Sequence, residues 1–184
     1  LAIATRLVEH GACKQLLAIS RSKSNELEEL ERRNNNLTVE ICDITDYDKM
    51  DNIMDRYIEN VGFPDFCICN AGVRSRMSIK DSELALYRNI FEVNTLAQIK
   101  STKYLASRKE RNKSLKMLYI TSIVGQRGFK DLTTYAVAKS ALEGFIKSAA
   151  VELAEENINI NGIAPGFVES SYTDNFKKNN PSLY

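Results

Sequence analysis

An α/β fold built on a largely parallel sheet is what this sequence predicts, and three observations carry the expectation. Helical and strand-like periodicities alternate along the whole chain, and most strand-like runs are short and apolar, as in strands covered on both faces. No linker rich in Pro, Gly or Ser, no repeat and no low-complexity segment divides the 184 residues. Residues 1–184 therefore read as a single domain, long enough for a sizeable core.

The elements follow in order. Ile3, Ala4, Leu7 and Val8 form the apolar stripe of a helix over residues 1–10, and Gly11 can take the left-handed conformation that ends it. Leu16 to Ile19 is a strand with Ser20 and Arg21 at its carboxyl end. Residues 24–33 form a charged helix anchored by Leu27 and Leu30, closed by the Asn34, Asn35, Asn36 turn. Leu37, Val39 and Ile41 alternate with Thr38 and Glu40, the pattern of a sheet edge. Thr45 is placed to cap the next helix, whose stripe is Met50, Ile53, Met54, Tyr57 and Ile58 and which Gly62 and Pro64 end. Phe66 to Cys69 is a strand, Leu84 to about Arg108 a long helix, Met117 to Ile120 a buried strand, and Asn157 to Asn161 a last strand. From Tyr135, the positions Leu142, Phe145, Ile146, Ala149 and Leu153 keep helical spacing. Such alternation predicts a doubly wound, Rossmann-like sheet with helices on both faces, where ligands bind at the carboxyl ends of the strands.

Composition narrows the function. Charged residues make up 27% of the chain and the net charge is +1, which gives no reason to expect nucleic acid or an anionic membrane as partner. No apolar run approaches membrane-spanning length. Cys13, Cys42, Cys67 and Cys69 form no C-x-x-C pair. Cys67 and Cys69 face one way on their strand, but no second pair or histidine cluster completes a metal site. Four buried, unpaired thiols suit a reducing compartment, hence the cytosol. The one histidine, His10, reads as a solvated helix-terminus residue.

Chemistry concentrates between Tyr119 and Phe145. Ser122 follows the buried strand, Gly125 and Gly128 break the pattern, and Tyr135 opens a helix with Lys139 four residues on. That separation stacks a phenol and an ammonium on one helix face, where the cation is expected to lower the tyrosine pKa from about 10. Asn94 shares the buried face of Leu84, Tyr87 and Phe91 and must be hydrogen-bonded there, since an unpaired buried amide costs roughly 1–3 kcal/mol. A satisfied core asparagine remains an open reading.

A serine after a buried strand, the Tyr135-x-x-x-Lys139 helix, Asn70-Ala71-Gly72 after an earlier strand, Asn94 in a helix, and Pro165-Gly166 with Val168 and Ser170 after the last strand resemble the short-chain dehydrogenase/reductase family, compact single-domain type. The interval from Ser122 to Tyr135 is the one those members keep. The nearest-looking subgroup is the 3-oxoacyl-carrier-protein reductases, because of Ala164-Pro165-Gly166-Phe167-Val168.

The resemblance implies an NADP(H)-dependent oxidoreductase moving a hydride between nicotinamide and a ketone or secondary alcohol. Tyr135 would be general acid in reduction and base in oxidation, Ser122 the donor to the carbonyl oxygen, and Lys139 the residue that lowers the tyrosine pKa and binds the nicotinamide ribose. Asn94 would bend its helix and hold a water in the proton path. Relatives that prefer NAD carry an acid where Ser20 stands here, so Arg21 is assigned to a 2′-phosphate. Taken alone, Arg21 equally suits a solvated loop. Asp43 and Ile44 would border the adenine, Asn70, Ala71 and Gly72 would let the backbone approach the cofactor, and Pro165, Gly166, Val168 and Ser170 would line its nicotinamide end. As bare residues, Asp43 and the Asn-Ala-Gly run are also plain turn residues. Residues 171–184, with Tyr172, Phe176 and Tyr184, match a substrate lid or else a flexible tail.

The resemblance further implies a homodimer or homotetramer through the helices beginning near Leu84 and Tyr135, where Ala97, Ile99, Ala141 and Val151 exceed what packing on a sheet requires. It also implies that a strand and a glycine-rich loop precede Leu1, filling the place between the strands ending at Ser20 and near Asn70, and that a final helix and strand follow. Two other functions stay open. A sugar-nucleotide epimerase or dehydratase shares Tyr-x-x-x-Lys, but is longer and normally lacks the Asn-Ala-Gly and Asn94 combination. A dinucleotide-binding regulator without catalysis is opposed by the complete set of Asn94, Ser122, Tyr135 and Lys139.

Overall fold

A computed structural model describes residues 1–168. Ser170 and the expected lid, residues 171–184, lie outside them. Five strands occur among the described residues: β1 (Leu16–Ser20), β2 (Leu37–Ile41), β3 (Phe66–Cys69), β4 (Leu115–Ile120) and β5 (Ile158–Ile163). Each observed pairing is parallel, with β1 beside β2 and β4 between β3 and β5. Parallel neighbours need crossover helices, and the alternating sequence provides them. The architecture is the α/β arrangement predicted. Its strands fall into a two-stranded and a three-stranded sheet, and β1 and β3 do not pair with each other.

The helices are α1 (Ala2–Glu9), α2 (Asn25–Arg33), α3 (Tyr47–Asn60), α4 (Leu84–Phe91), α5 (Ala97–Arg108) and α6 (Thr133–Glu152). Gly11, just past α1, takes the expected left-handed conformation at φ 59°. His10 is exposed at the end of α1, its ring nitrogen Nδ1 3.1 Å from the Arg6 carbonyl oxygen.

Four local expectations are corrected. Asp46, not Thr45, caps α3, accepting from the Lys49 N–H at 3.2 Å, because Asp43 already binds the Thr45 hydroxyl at 2.8 Å. β5 starts after Asn157, which sits in the left-handed region at φ 58° to close a short 3-10 turn, and runs on to Ile163 opposite Ile120. The long helix is not uniform: Glu92–Leu96 widens into a π turn between α4 and α5. Ala97, expected on a second apolar face, is 1% exposed and belongs to the core, whereas Val151 is 79% exposed.

The main core lies between the three-stranded sheet and α5 and α6. Leu105, Leu115, Met117, Tyr119, Leu142 and Ile158 are each at most 1% exposed there. Burying an aliphatic side chain this fully stabilises the fold by roughly 1.5–3 kcal/mol before the opposing entropy is counted. Tyr119 packs edge-on to Phe145 with ring centroids 6.1 Å apart and hydrogen-bonds Thr102. This packing fixes β4 against α6, and so fixes the two segments that carry Ser122 and Tyr135. A smaller cluster of Val8, Leu30 and Leu37 joins α1 and α2 to the two-stranded sheet.

Candidate active site

Tyr135 is the third residue of α6, and Lys139 stands one turn further on, with its Nζ 5.7 Å from the Tyr135 ring centroid. Lys139 is only 3% exposed and donates to the Ile120 carbonyl oxygen at 2.6 Å, tying α6 to the end of β4. Burial pulls its pKa down to about 8, and the neighbouring Cys69 sulfur works against that fall. Tyr135 departs from expectation. Burial pushes its pKa above 10, while the Arg74 guanidinium and the Ser122 hydroxyl draw it back down. Lys139, its own pKa drawn down to about 8, is not among the groups that lower it. Desolvation of the phenolate decides the sign.

Ser122 follows β4 and starts a short 3-10 turn, accepting from the Val124 N–H at 3.2 Å. The next residue binds the last loop, since the Ile123 N–H donates to Pro165 O at 3.1 Å. Pro165 and Gly166 thereby reach the serine turn, with Ile123 Cδ1 the nearest atom to Gly166 in that direction. Phe167 meets Phe129 edge to face at 6.1 Å, and Val168 is exposed.

Asn94 sits inside the π turn, fully buried, but its buried neighbour one turn back is Ile90 and not the face expected with Leu84, which is 69% exposed. Its Nδ2 donates to Val73 O at 2.7 Å and Ile90 O at 2.9 Å, and its Oδ1 accepts from the Val73 N–H at 3.1 Å. The amide is thus satisfied, as its burial required. It holds the loop that leaves β3. A Cβ on Gly72 would lie 2.6 Å from Asn94 Oδ1, so only glycine lets this loop approach the amide so closely. Thr95 donates to Ala138 O at 2.9 Å, joining the same turn to α6.

At the carboxyl ends of β3 and β4 lies a cavity of about 200 Å³, lined by Asn70, Gly72, Val73, Arg74, Ile120, Thr121, Tyr135 and Lys139. It gathers four expected residues: Asn70, Gly72, Tyr135 and Lys139. Ser122 stands beside it through Tyr135, and Asn94 and Ala71 lie behind it. Val73, Arg74, Ile120 and Thr121 were not singled out from the sequence, nor was Gln98, which donates to Ala71 O at 2.9 Å. A charge two positions beyond Asn-Ala-Gly was a signal for Arg74, and helical spacing from Asn94 was one for Gln98.

Ser20, Arg21, Asp43 and Ile44 form a separate group at the carboxyl ends of β1 and β2. Arg21 and Asp43 are exposed and close enough that the guanidinium helps hold the Asp43 carboxyl below its usual range, behind the larger effect of hydrogen bonds from Thr45. Cys67 and Cys69 share a sheet face opposite Met117 and Tyr119, and their thiols interact. The four cysteines are unpaired. Among the described residues no helix is long and apolar enough to cross a membrane.

The profile of the family described as Enoyl-(Acyl carrier protein) reductase matches residues 1–183. A 3-oxoacyl-(acyl-carrier-protein) reductase from Buchnera aphidicola is 30% identical over 83% of this chain, which spans 62% of that relative's length. Among solved structures, a short-chain dehydrogenase/reductase from Burkholderia xenovorans superposes with a TM-score of 0.87 at 23% identity, over 98% of this chain and 73% of its own. A tyrosine-to-phenylalanine variant of ElxO with NADPH bound gives 0.84 at 21% identity, over 97% and 74%. The sequence match and the shared fold agree with the order of motifs along the strands, and the chain belongs to the short-chain dehydrogenase/reductase family, within which it is similar to 3-oxoacyl-carrier-protein reductases.

Proposed function

We propose that this chain is the catalytic core of an NADP(H)-dependent oxidoreductase interconverting a ketone and a secondary alcohol. One observation carries the reading: a phenol and a buried ammonium, one helical turn apart, border a cavity at the strand ends. The residues suit a nicotinamide cofactor. Lys139 spends one of its three protons on Ile120 O and has two more for sugar hydroxyls, Asn70 is exposed in the cavity wall, and the exposed Arg21 suits a 2′-phosphate. Such a cofactor, when bound, gives or takes the hydride.

The protein's own groups manage the oxygen. Reduction leaves negative charge there, which needs hydrogen-bond donors and then a proton. With its pKa above 10, Tyr135 is protonated at neutral pH and serves as the acid, and the Ser122 hydroxyl is the second donor. Asn94 holds the Val73 loop in place, and the π turn around it is where the family's proton-relaying water is assigned. In the reverse direction Tyr135 must lose its proton, so alcohol oxidation is expected to accelerate as the pH rises. Ser20 with Arg21 would take the adenosine ribose and its phosphate, Asp43 and Ile44 the adenine, and Pro165, Gly166, Val168 and Ser170 the nicotinamide. The assembly is a homodimer or homotetramer in a reducing compartment.

The test is NADPH oxidation by the full-length protein across acyl, sugar, steroid and small ketones. Tyr135→Phe is expected to lower turnover by roughly 10² to 10⁴ with cofactor affinity near that of the wild type. Arg21→Ala is expected to cut the NADPH to NADH ratio of kcat/KM by about one to two powers of ten. Near-normal turnover in the tyrosine variant sinks the mechanism, and an unchanged ratio removes Arg21 from the cofactor site.

A further inference from the structure

Arg74 belongs to none of the motifs above, yet it lines the cavity with Tyr135. Its position is fixed on both sides. The Val73 peptide just before it is held by Asn94 at 3.1 and 2.7 Å, and the Met77 N–H, three residues on, donates to Asp131 O at 3.0 Å. The side chain is exposed while reaching the cavity wall, so an incoming ligand can meet it. Its guanidinium is also the charge whose field acts most on the phenol.

A permanent cation at the mouth of a small cavity selects the charge of what enters. A guanidinium is a planar fork that pairs with a carboxylate through two parallel hydrogen bonds, stronger than neutral ones. A carbonyl compound whose oxygen meets Tyr135 presents its nearby substituents to Arg74, since both side chains line one cavity of about 200 Å³. We infer that Arg74 is a specificity residue, and that the substrate is a ketone or secondary alcohol bearing a carboxylate a few bonds from the reacting carbon. This rests on the oxidoreductase reading above.

The experiment compares acetoacetate with methyl acetoacetate, the same ketone with and without the charge, in the full-length protein. Arg74→Gln is expected to lower the acid-to-ester ratio of kcat/KM ten- to a hundredfold, and Arg74→Lys to recover part of it. A shift in the Tyr135 pKa acts on both substrates and cancels in the ratio. An unchanged ratio overturns the inference. So does weaker NADPH binding with an unchanged ratio, which would assign Arg74 to a cofactor phosphate. If none of the ketones supports NADPH oxidation by the wild-type protein, the oxidoreductase reading fails separately. Calorimetric titration of acetoacetate into the NADP-loaded protein then decides Arg74: a Kd ten- to a hundredfold weaker in Arg74→Gln upholds its role, and equal Kd values overturn it.

Discussion

Lys139 is a cation held where water is scarce, and its stability signature follows from that. The unfolded chain binds this proton with a pKa near 10.5 and the folded chain with one of about 8. Between those values the unfolded state holds more protons, so stability rises with pH across the interval and the full penalty stands below pH 8. At about 1.4 kcal/mol per unit, the wild type is expected to gain about 2–3 kcal/mol relative to Lys139→Met between pH 7 and 10.5. Urea unfolding of both proteins at the two pH values reads this, and a constant difference would mean that the ammonium is well solvated. The intervals between Ser122, Tyr135 and Lys139 singled these residues out in the sequence, and the structure brings Tyr135 and Lys139 to the wall of one cavity. The sign of the tyrosine shift was not legible in the sequence. It depends on how much of Tyr135 is buried, and spacing along a helix does not reveal that.

The β3 loop and the π turn behave as one element. Gly72 lies against Asn94 so closely that a methyl group there would sit 2.6 Å from the amide oxygen. Asn94 cannot swing away without breaking bonds to Val73 and Ile90 inside the core. Gly72→Ala is therefore expected to destabilise the protein by about 1–3 kcal/mol, the usual cost of overpacking. Asn94→Ala costs the bonds but removes the obstruction, so the double variant is expected to lose less than the sum of the two. Additive losses in a denaturation cycle would show that the contact is relaxed in solution. Among the elements, each strand and helix was visible as periodicity, while details set by neighbours were hidden. The π turn keeps a helix-like apolar pattern, and only the amide's partners on another segment show why the helix widens there. The cap of α3 moved by one residue because Asp43 had already bound the Thr45 hydroxyl, a contact that composition alone does not rank.

On the scale of the molecule, apolar groups remain outside the core on two packed helices. Leu84 on α4 is 69% exposed, and Val137 and Val151 on α6 are 52% and 79% exposed. The proposed homodimer covers this face. Light scattering at micromolar concentration is expected to give a dimer or tetramer for the wild-type protein and a smaller species for Val137→Glu with Val151→Glu, since a charge in an apolar interface opposes association. A monomeric wild type contradicts the assembly. The overall architecture was legible because alternating periodicity leaves few arrangements other than a parallel sheet, and the order of motifs put the candidate residues at the strand ends. The division into two sheets shows in pairing between distant segments.

The π turn also sets a length. On one side Asn94 grips Val73, the neighbour of Arg74, and on the other Thr95 grips Ala138, the neighbour of Lys139. The two cations flanking the phenol are thus spaced by adjacent residues of a single rigid turn, as jaws are spaced by a gauge block. Surface loops between these segments can lengthen or change composition without altering that spacing, whereas a one-residue insertion between Glu92 and Leu96 would reset it.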